Sequence, residues 1–384
     1  MQVTNPTKAE LTVDFGHSGQ VTFKPNFEES GLRIEVLGDA QASHFAHETI
    51  RTLPADMHDH SRLSSAPWQR RISAYRKHAL LVEGVRRWHC LSVTISAGAV
   101  ELRRMMFDDP SIDIDVRRVD QILMRAYGSE SMRARVLRFL SVPEGRWVVA
   151  ERGEEMLAVG GCIGYPSGGF GWIGLIATDP HKSRDGIGTA VTRWLIKELR
   201  NIGCAAVLDA SKAGAPVYER LGFDDHGRTR VFSAQPLNTT PPSPGFVRQI
   251  AAADLPKIVA YDTPRFGAER AGLLRYVLEE SPGRCMGAFD VAGSMVGFAV
   301  AQDAIIGPVV ANDAQILSAL LDTARRLEWK EPPRLMLPAE SRYGPQLERE
   351  GWAEIRSLRH QRLGIDRLPG DRHLIAGQAS LGEG

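Results

Sequence analysis

Between residues 172 and 223 the spacing of apolar side chains switches from continuous to helical and back again. Ile173, Leu175, Ile176 and Ala177 form a short apolar run that stops at Asp179-Pro180, the pattern of a buried strand ended by proline. Ala190, Val191, Trp194, Leu195 and Leu199 then recur at helical spacing, leaving Arg193, Lys197 and Arg200 for the opposite face. Ala205 to Ala210 reads as a second buried strand, and Ala215 to Phe223 as a short helix that leaves through Gly222. Gly186 and Gly188 sit between the first strand and the first helix. Without Cβ atoms they let the backbone fold tightly and present consecutive N–H groups, to which the helix beginning near Ile187 adds the positive end of its dipole. Such a cradle fits a pyrophosphate.

The run TDPHKSRDGIG at 178–188 resembles the acyl-CoA pyrophosphate loop of the GNAT superfamily of N-acyltransferases. KAGAPVYERLGF at 212–223 resembles that superfamily's helix bearing a tyrosine beside the thioester. The two motifs stand in the family's order, separated by a helix and a strand of the expected lengths. Three positions depart from the family pattern: Ser183 stands where Arg or Gln is usual, Arg184 where glycine is common, and Asp185 where a basic residue often sits. The resemblance implies a cofactor-binding set of Ile176, Ala177, Thr178, Ser183, Arg184, Asp185, Gly186, Ile187, Gly188 and Thr189. In it the strand edge Ile176–Thr178 pairs with the pantetheine arm and the glycine turn cradles the phosphates. It also implies Tyr218 as proton donor to the departing thiolate. Asp209, at the end of the second strand, is a candidate general base, with a capping role beside Ser211 as its alternative. Glu154 and Glu155 read as an exposed hairpin turn.

The chain repeats itself. APVYERLGF at 215–223 recurs as GPQLEREGW at 344–352, and IATD at 176–179 as VAND at 310–313. RVLRFLSVPEGR at 135–146 has a counterpart in GLLRYVLEESPGR at 272–284. The second copy is unequal where the chemistry sits: the interval from Asp313 to Leu347 is shorter than that from Asp179 to Tyr218, the glycine turn is missing, and Leu347 replaces the tyrosine. The expected organisation is a mixed-sheet α/β (α+β) chain with tandem GNAT-like domains. Residues 1–112 form a small α+β domain, 113–234 a GNAT domain with the acyl-CoA site, 235–245 a Pro- and Thr-rich linker, and 246–384 a degenerate GNAT-like domain that packs on the first and walls its cleft. HLIAGQASL near the end reads as a short element docked on the second copy.

Within residues 1–112, alternating runs at 11–23, 32–38 and 91–102 predict strands, and 40–53 a helix. His44, His47, His58 and His60 lie here without completing a recognised metal site, so no metal is expected. The 384 residues, 43% hydrophobic, suffice for more than one core, and a net charge of +1 leaves no electrostatic footprint for nucleic acid. Neither a signal sequence nor an apolar stretch long enough for a membrane is present, so a cytoplasmic location is expected. The four cysteines lack C-x-x-C spacing.

The expected activity is transfer of an acyl group from acetyl-CoA, or another acyl-CoA, to a primary amine of a small molecule by direct attack. Amino acids, polyamines, aminoglycosides and biosynthetic intermediates all qualify as acceptors. Non-catalytic acyl-CoA binding in a regulatory protein, and transfer to a hydroxyl or thiol, are the alternatives. Association into a homodimer is compatible with this reading.

Overall fold

The computed structural model describes residues 11–14, 20–28, 31–37, 91–95, 98–180, 186–237 and 245–384. The chain divides into two compact units, residues 1–103 and 104–384. In the first, β1 (Leu11–Asp14), β2 (Gln20–Glu28) and β3 (Gly31–Leu37) form an antiparallel sheet in that order. β4 (Leu91–Ile95) and β5 (Gly98–Met105) form a hairpin in which Leu91 faces Leu102. Strands thus fall where the alternating runs predict them. The predicted helix at 40–53 and the four clustered histidines lie outside the described residues.

The second unit begins with α1 (Ile112–Tyr127) and α2 (Arg133–Ser141), whose apolar stripes bury Val116, Val119, Ile122, Leu123, Val136 and Phe139. There follow β6 (Gly145–Arg152), β7 (Glu155–Tyr165) and β8 (Phe170–Thr178), an antiparallel meander. α3 (Ile187–Asn201) leads to β9 (Ala205–Ala210), α4 (Ala215–Glu219) and β10 (Asp224–Ser233). Beyond the linker the same order recurs. β11 (Val247–Gln249), α5 (Leu255–Phe266) and α6 (Ala271–Glu280) precede the meander β12 (Cys285–Phe289), β13 (Met295–Ala301) and β14 (Ile306–Ala311). α7 (Ala314–Arg325), β15 (Arg334–Leu337), α8 (Gly344–Arg349) and β16 (Ala353–Leu363) complete the second copy, and β17 (Ile375–Gly377) follows it. The repeated motifs occupy equivalent places: α4 and α8 each end ahead of a left-handed glycine, Gly222 at φ 90° and Gly351 at φ 81°.

The copies do not keep separate sheets. The strand order runs β15-β10-β16-β9-β8-β7-β6. β16 is inserted antiparallel between β9 and β10, with Arg362 opposite Val207 and Thr229 opposite Leu358, while β10 pairs on its other edge with β15. Each copy therefore lends its last strand to the other. One apolar core spans both, including Phe139, Trp147, Phe170 and Trp172 from the first and Phe266, Leu274, Phe298 and Leu368 from the second. At about 1.5–3 kcal/mol for each large apolar side chain buried, this shared core couples the two copies strongly.

Candidate active site

β8 and β9 run parallel but pair only from Phe170–Ala205 to Trp172–Val207. Beyond that point they diverge, and a cavity of about 970 Å³ opens between them. It is walled by Ile173, Gly174, Leu175, Ile176 and Thr178 of β8, by Leu208 and Asp209 of β9, and by Ser211, Gly214, Val217 and Tyr218 beyond β9. A bulge re-aims the β8 wall: the pairing with β7 shifts between Val159–Ala177 and Gly161–Gly174, and Leu175 takes the left-handed φ of 52°. A branched side chain in that region is strained by about 1–3 kcal/mol, a cost the packed meander must offset. Gly160 lies opposite the bulge. A Cβ there would come within 2.9 Å of Val191 and 3.2 Å of Ile176, so glycine lets α3 press onto the bulged edge.

The start of α3 forms the mouth. Gly186, at φ 76°, precedes the helix and supplies no side-chain cap, so among the described residues no side chain caps the first N–H groups of α3, where an anion would dock. Gly186, Ile187, Gly188 and Thr189 all line the cavity. A Cβ on Gly188 would meet Thr178 Oγ1 at 3.1 Å, so a longer side chain there would fill the mouth. Ile176 and Thr178 face the cavity as well, whereas Ala177 points into the core. Ser183, Arg184 and Asp185 lie outside the described residues.

Tyr218, on α4, lines the cavity with its ring at 6.0 Å from Phe223. Burial pushes its hydroxyl up to about 12, which keeps its proton in place at neutral pH. Tyr127, at the end of α1, donates to the Ile176 carbonyl at 2.8 Å and closes part of the bulged edge. Its hydroxyl is also raised, first by burial and then by Tyr218, and both residues line the cavity.

Asp209 is placed differently from a free base. Oδ1 accepts from Thr229 Oγ1 at 2.6 Å and meets His360 Nδ1 at 3.0 Å; Oδ2 accepts from Trp172 Nε1 at 3.3 Å and Gln378 Nε2 at 3.2 Å. Arg362 Nε can only donate, so His360 Nε2 accepts its 3.1 Å bond and Nδ1 carries the proton toward Asp209. Arg362 in turn pairs with Glu340. The capping alternative is not what forms either: Ser211 Oγ receives the Gly214 N–H by itself.

Residues 378–384 supply the part of the site least visible in the sequence. The predicted short element is β17, which pairs with β14 through Val310–Ile375 and Val309–Gly377. From there the chain crosses into the first copy, where Ser380, Leu381 and Gly382 line the cavity. Gly382 packs so closely on Gly174 that a Cβ on Gly174 would lie 2.3 Å from its Cα. Glu383 is fully buried and accepts from Arg138 Nη1 at 2.9 Å, and Arg270 Nη1 donates to the Gly384 oxygen at 3.0 Å. Arg135, Arg334 and Arg356 also line the cavity and were not singled out by sequence pattern, since arginines on a polar face read as solvated.

Residues 116–223 match the acetyltransferase (GNAT) family model, and residues 258–371 match an acetyltransferase (GNAT) domain model. The chain belongs to the GNAT family, in tandem form. A putative acetyltransferase from Pyrococcus horikoshii has the same fold over 78% of this chain and 100% of its own, with a TM-score of 0.64 at 22% identity. A GCN5-related N-acetyltransferase from Sphaerobacter thermophilus aligns over 70% of this chain and 96% of its own, with a TM-score of 0.50 at 16% identity. The uncharacterized N-acetyltransferase YitH of Bacillus subtilis (strain 168) is 25% identical over 185 residues, which are 47% of this chain and 64% of that protein.

In the second GNAT copy the equivalent helix start and strand gap are filled. Asp313 caps α7 by accepting the Ile316 N–H at 2.9 Å, and its carboxylate stands where an anion would dock. β14 and β15 touch in parallel only at Ile305–Arg334, and β17 occupies the opening beyond. There the Gln378 N–H donates to the Met336 carbonyl at 2.9 Å. Leu347, the counterpart of Tyr218, is buried in the apolar core. Among the described residues no group of His, Cys, Asp or Glu could hold a metal, and no helix is long and apolar enough to cross a membrane.

Proposed function

We propose that the first copy is an acyl-CoA-dependent N-acyltransferase that uses acetyl-CoA or a similar thioester and acylates a primary amine of a small molecule. The observation that carries this reading is the diverging strand pair β8/β9, which opens beside a helix start that no described side chain caps and has a half-buried tyrosine on its wall. The N–H groups at Gly186–Thr189 would hold the phosphates. The β8 edge from Ile176 to Thr178 would align the pantetheine arm, with a bulge-edge N–H facing the oxygen of the thioester carbonyl.

Tyr218 then acts on the leaving sulfur. As the amine nitrogen forms its bond to the carbonyl carbon and the carbon–sulfur bond breaks, the tyrosine hydroxyl gives its proton to the thiolate and is reprotonated from solvent. Asp209 holds the strand junction through Trp172 and His360 and takes no proton, because both of its oxygens are occupied. The amine's extra proton leaves to water. Thiol release from acetyl-CoA across a panel of amines tests the reading. Turnover with at least one amine is expected, with kcat lowered about 100-fold in Tyr218→Phe and CoA affinity unchanged. Binding of acetyl-CoA without thiol release for any amine would make the protein a binding module instead.

A further inference from the structure

The walls of the cavity are electrically lopsided. Among the described residues its lining holds four arginines, Arg135, Arg220, Arg334 and Arg356, and one acid, Asp209, whose carboxylate already has four partners. Arg135 of α2 is the most telling. It has no hydrogen bond or ion pair among the described residues, and burial pulls its guanidinium below the usual range, with Arg138 and Arg334 adding repulsion and Glu383 opposing. Glu383 is shared at this corner: its Oε2 is engaged by Arg138 at 2.9 Å, and Arg138 also reaches Glu280 at 3.1 Å. A half-buried guanidinium on the cavity wall with no partner among the described residues is open to a ligand anion.

The charge sits away from the phosphate cradle. Gly382 packs against both Gly174 of β8 and Phe139 of α2, one turn from Arg135, whereas the cradle's Gly188 lies against Thr178, four residues further along β8. Arg356 puts a further positive charge on the same cavity wall. Arg334 and Arg356 come from the second copy, on β15 and β16, so the degenerate copy supplies charge to the cavity of the first.

We infer that the acceptor is an amine bearing a carboxylate or phosphate, held by Arg135 and Arg334 at the inner end of the cavity with its amino group toward Tyr218. This rests on the transferase reading above. It excludes polyamines and aminoglycosides, whose extra positive charges would meet the same arginines.

Two measurements test it. In the first, glutarate, an anion without an amine, is titrated into protein saturated with CoA, so that the phosphate cradle is already filled. Binding is expected, about tenfold weaker in Arg135→Gln and in the half-exposed Arg334→Gln, the second variant guarding against misfolding of the first. No binding to the wild type, or equal binding in both variants, would overturn the anion site. In the second, thiol release is compared between matched acceptors, glutamate against cadaverine and glucosamine 6-phosphate against glucosamine. The anionic member of at least one pair should have the higher kcat/KM by about tenfold, and the better pair tells carboxylate from phosphate. A preference for the cationic or neutral members would overturn the inference. So would succinyl-CoA with a neutral amine outpacing acetyl-CoA with an anionic one, because the anion would then belong to the acyl group. Absence of thiol release with every amine would sink the transferase reading, while the glutarate titration decides the anion site separately.

Discussion

The two copies share an order of elements and differ most at the start of the helix after the meander and at the gap between the parallel strands. In the first copy the helix begins after a left-handed glycine with no side-chain cap among the described residues, and the gap between β8 and β9 is open. In the second, Asp313 satisfies the helix start and β17 fills the gap beside β14. The proposed site is thus a pair of unsatisfied features, which a capping side chain and a pairing strand replace in the second copy. The second copy has become wall and support. It inserts β16 into the first copy's sheet, sends residues 378–384 into its cavity and contributes Arg334 and Arg356 to the lining.

The strongest way to break this comparison is to give the first copy the second copy's obstruction. Gly188→Glu places a side chain and a negative charge at the mouth, and acetyl-CoA binding measured by calorimetry should fall below detection while the thermal transition stays in place. Tyr218→Phe gives the first copy the second's apolar helix residue. kcat should drop about 100-fold with the CoA dissociation constant unchanged, and a wild-type rate with chemistry limiting would remove the tyrosine from the mechanism. Because burial raises the Tyr218 hydroxyl, it stays protonated as pH rises through neutrality. Wild-type kcat should therefore show no basic limb from this group below about pH 10.

Smaller effects sharpen the support role. Gly174→Ala drives a Cβ into Gly382, and stability in denaturant should fall by about 1–3 kcal/mol, with faster proteolysis near residue 381. Unchanged protection of that segment would mean that it is not held by the Gly174 contact. Asp313→Ala should cost about 1 kcal/mol of stability through the lost cap and create no second acetyl-CoA site, since β17 still fills the gap.

What the sequence disclosed was local. The glycine turn before Ile187, the tyrosine helix and their truncated echoes at Asp313 and Leu347 are written within a few residues of one another, so periodicity and turn chemistry suffice to find them. The bulge at Leu175 was not legible, because a leucine in a left-handed conformation leaves no compositional mark; Gly160 is its one trace, and a glycine in a strand has several causes. The exchange of β10 and β16 was hidden for a related reason. A final strand buries the same residue types whether it returns to its own sheet or crosses to its twin, and only the long-range register decides. Asp209 lines the cavity, but its four partners come from residues as distant as His360 and Gln378, which no spacing rule connects. The corner built by Arg135, Arg334 and Glu383 escaped detection in the same way.

The central claim is that one copy binds and the other supports. Isothermal titration of the intact chain with acetyl-CoA tests it most directly. The account predicts saturable binding at one site per chain, lost in Gly188→Glu and retained in Asp313→Ala. Two sites per chain, or binding that survives Gly188→Glu, would contradict it.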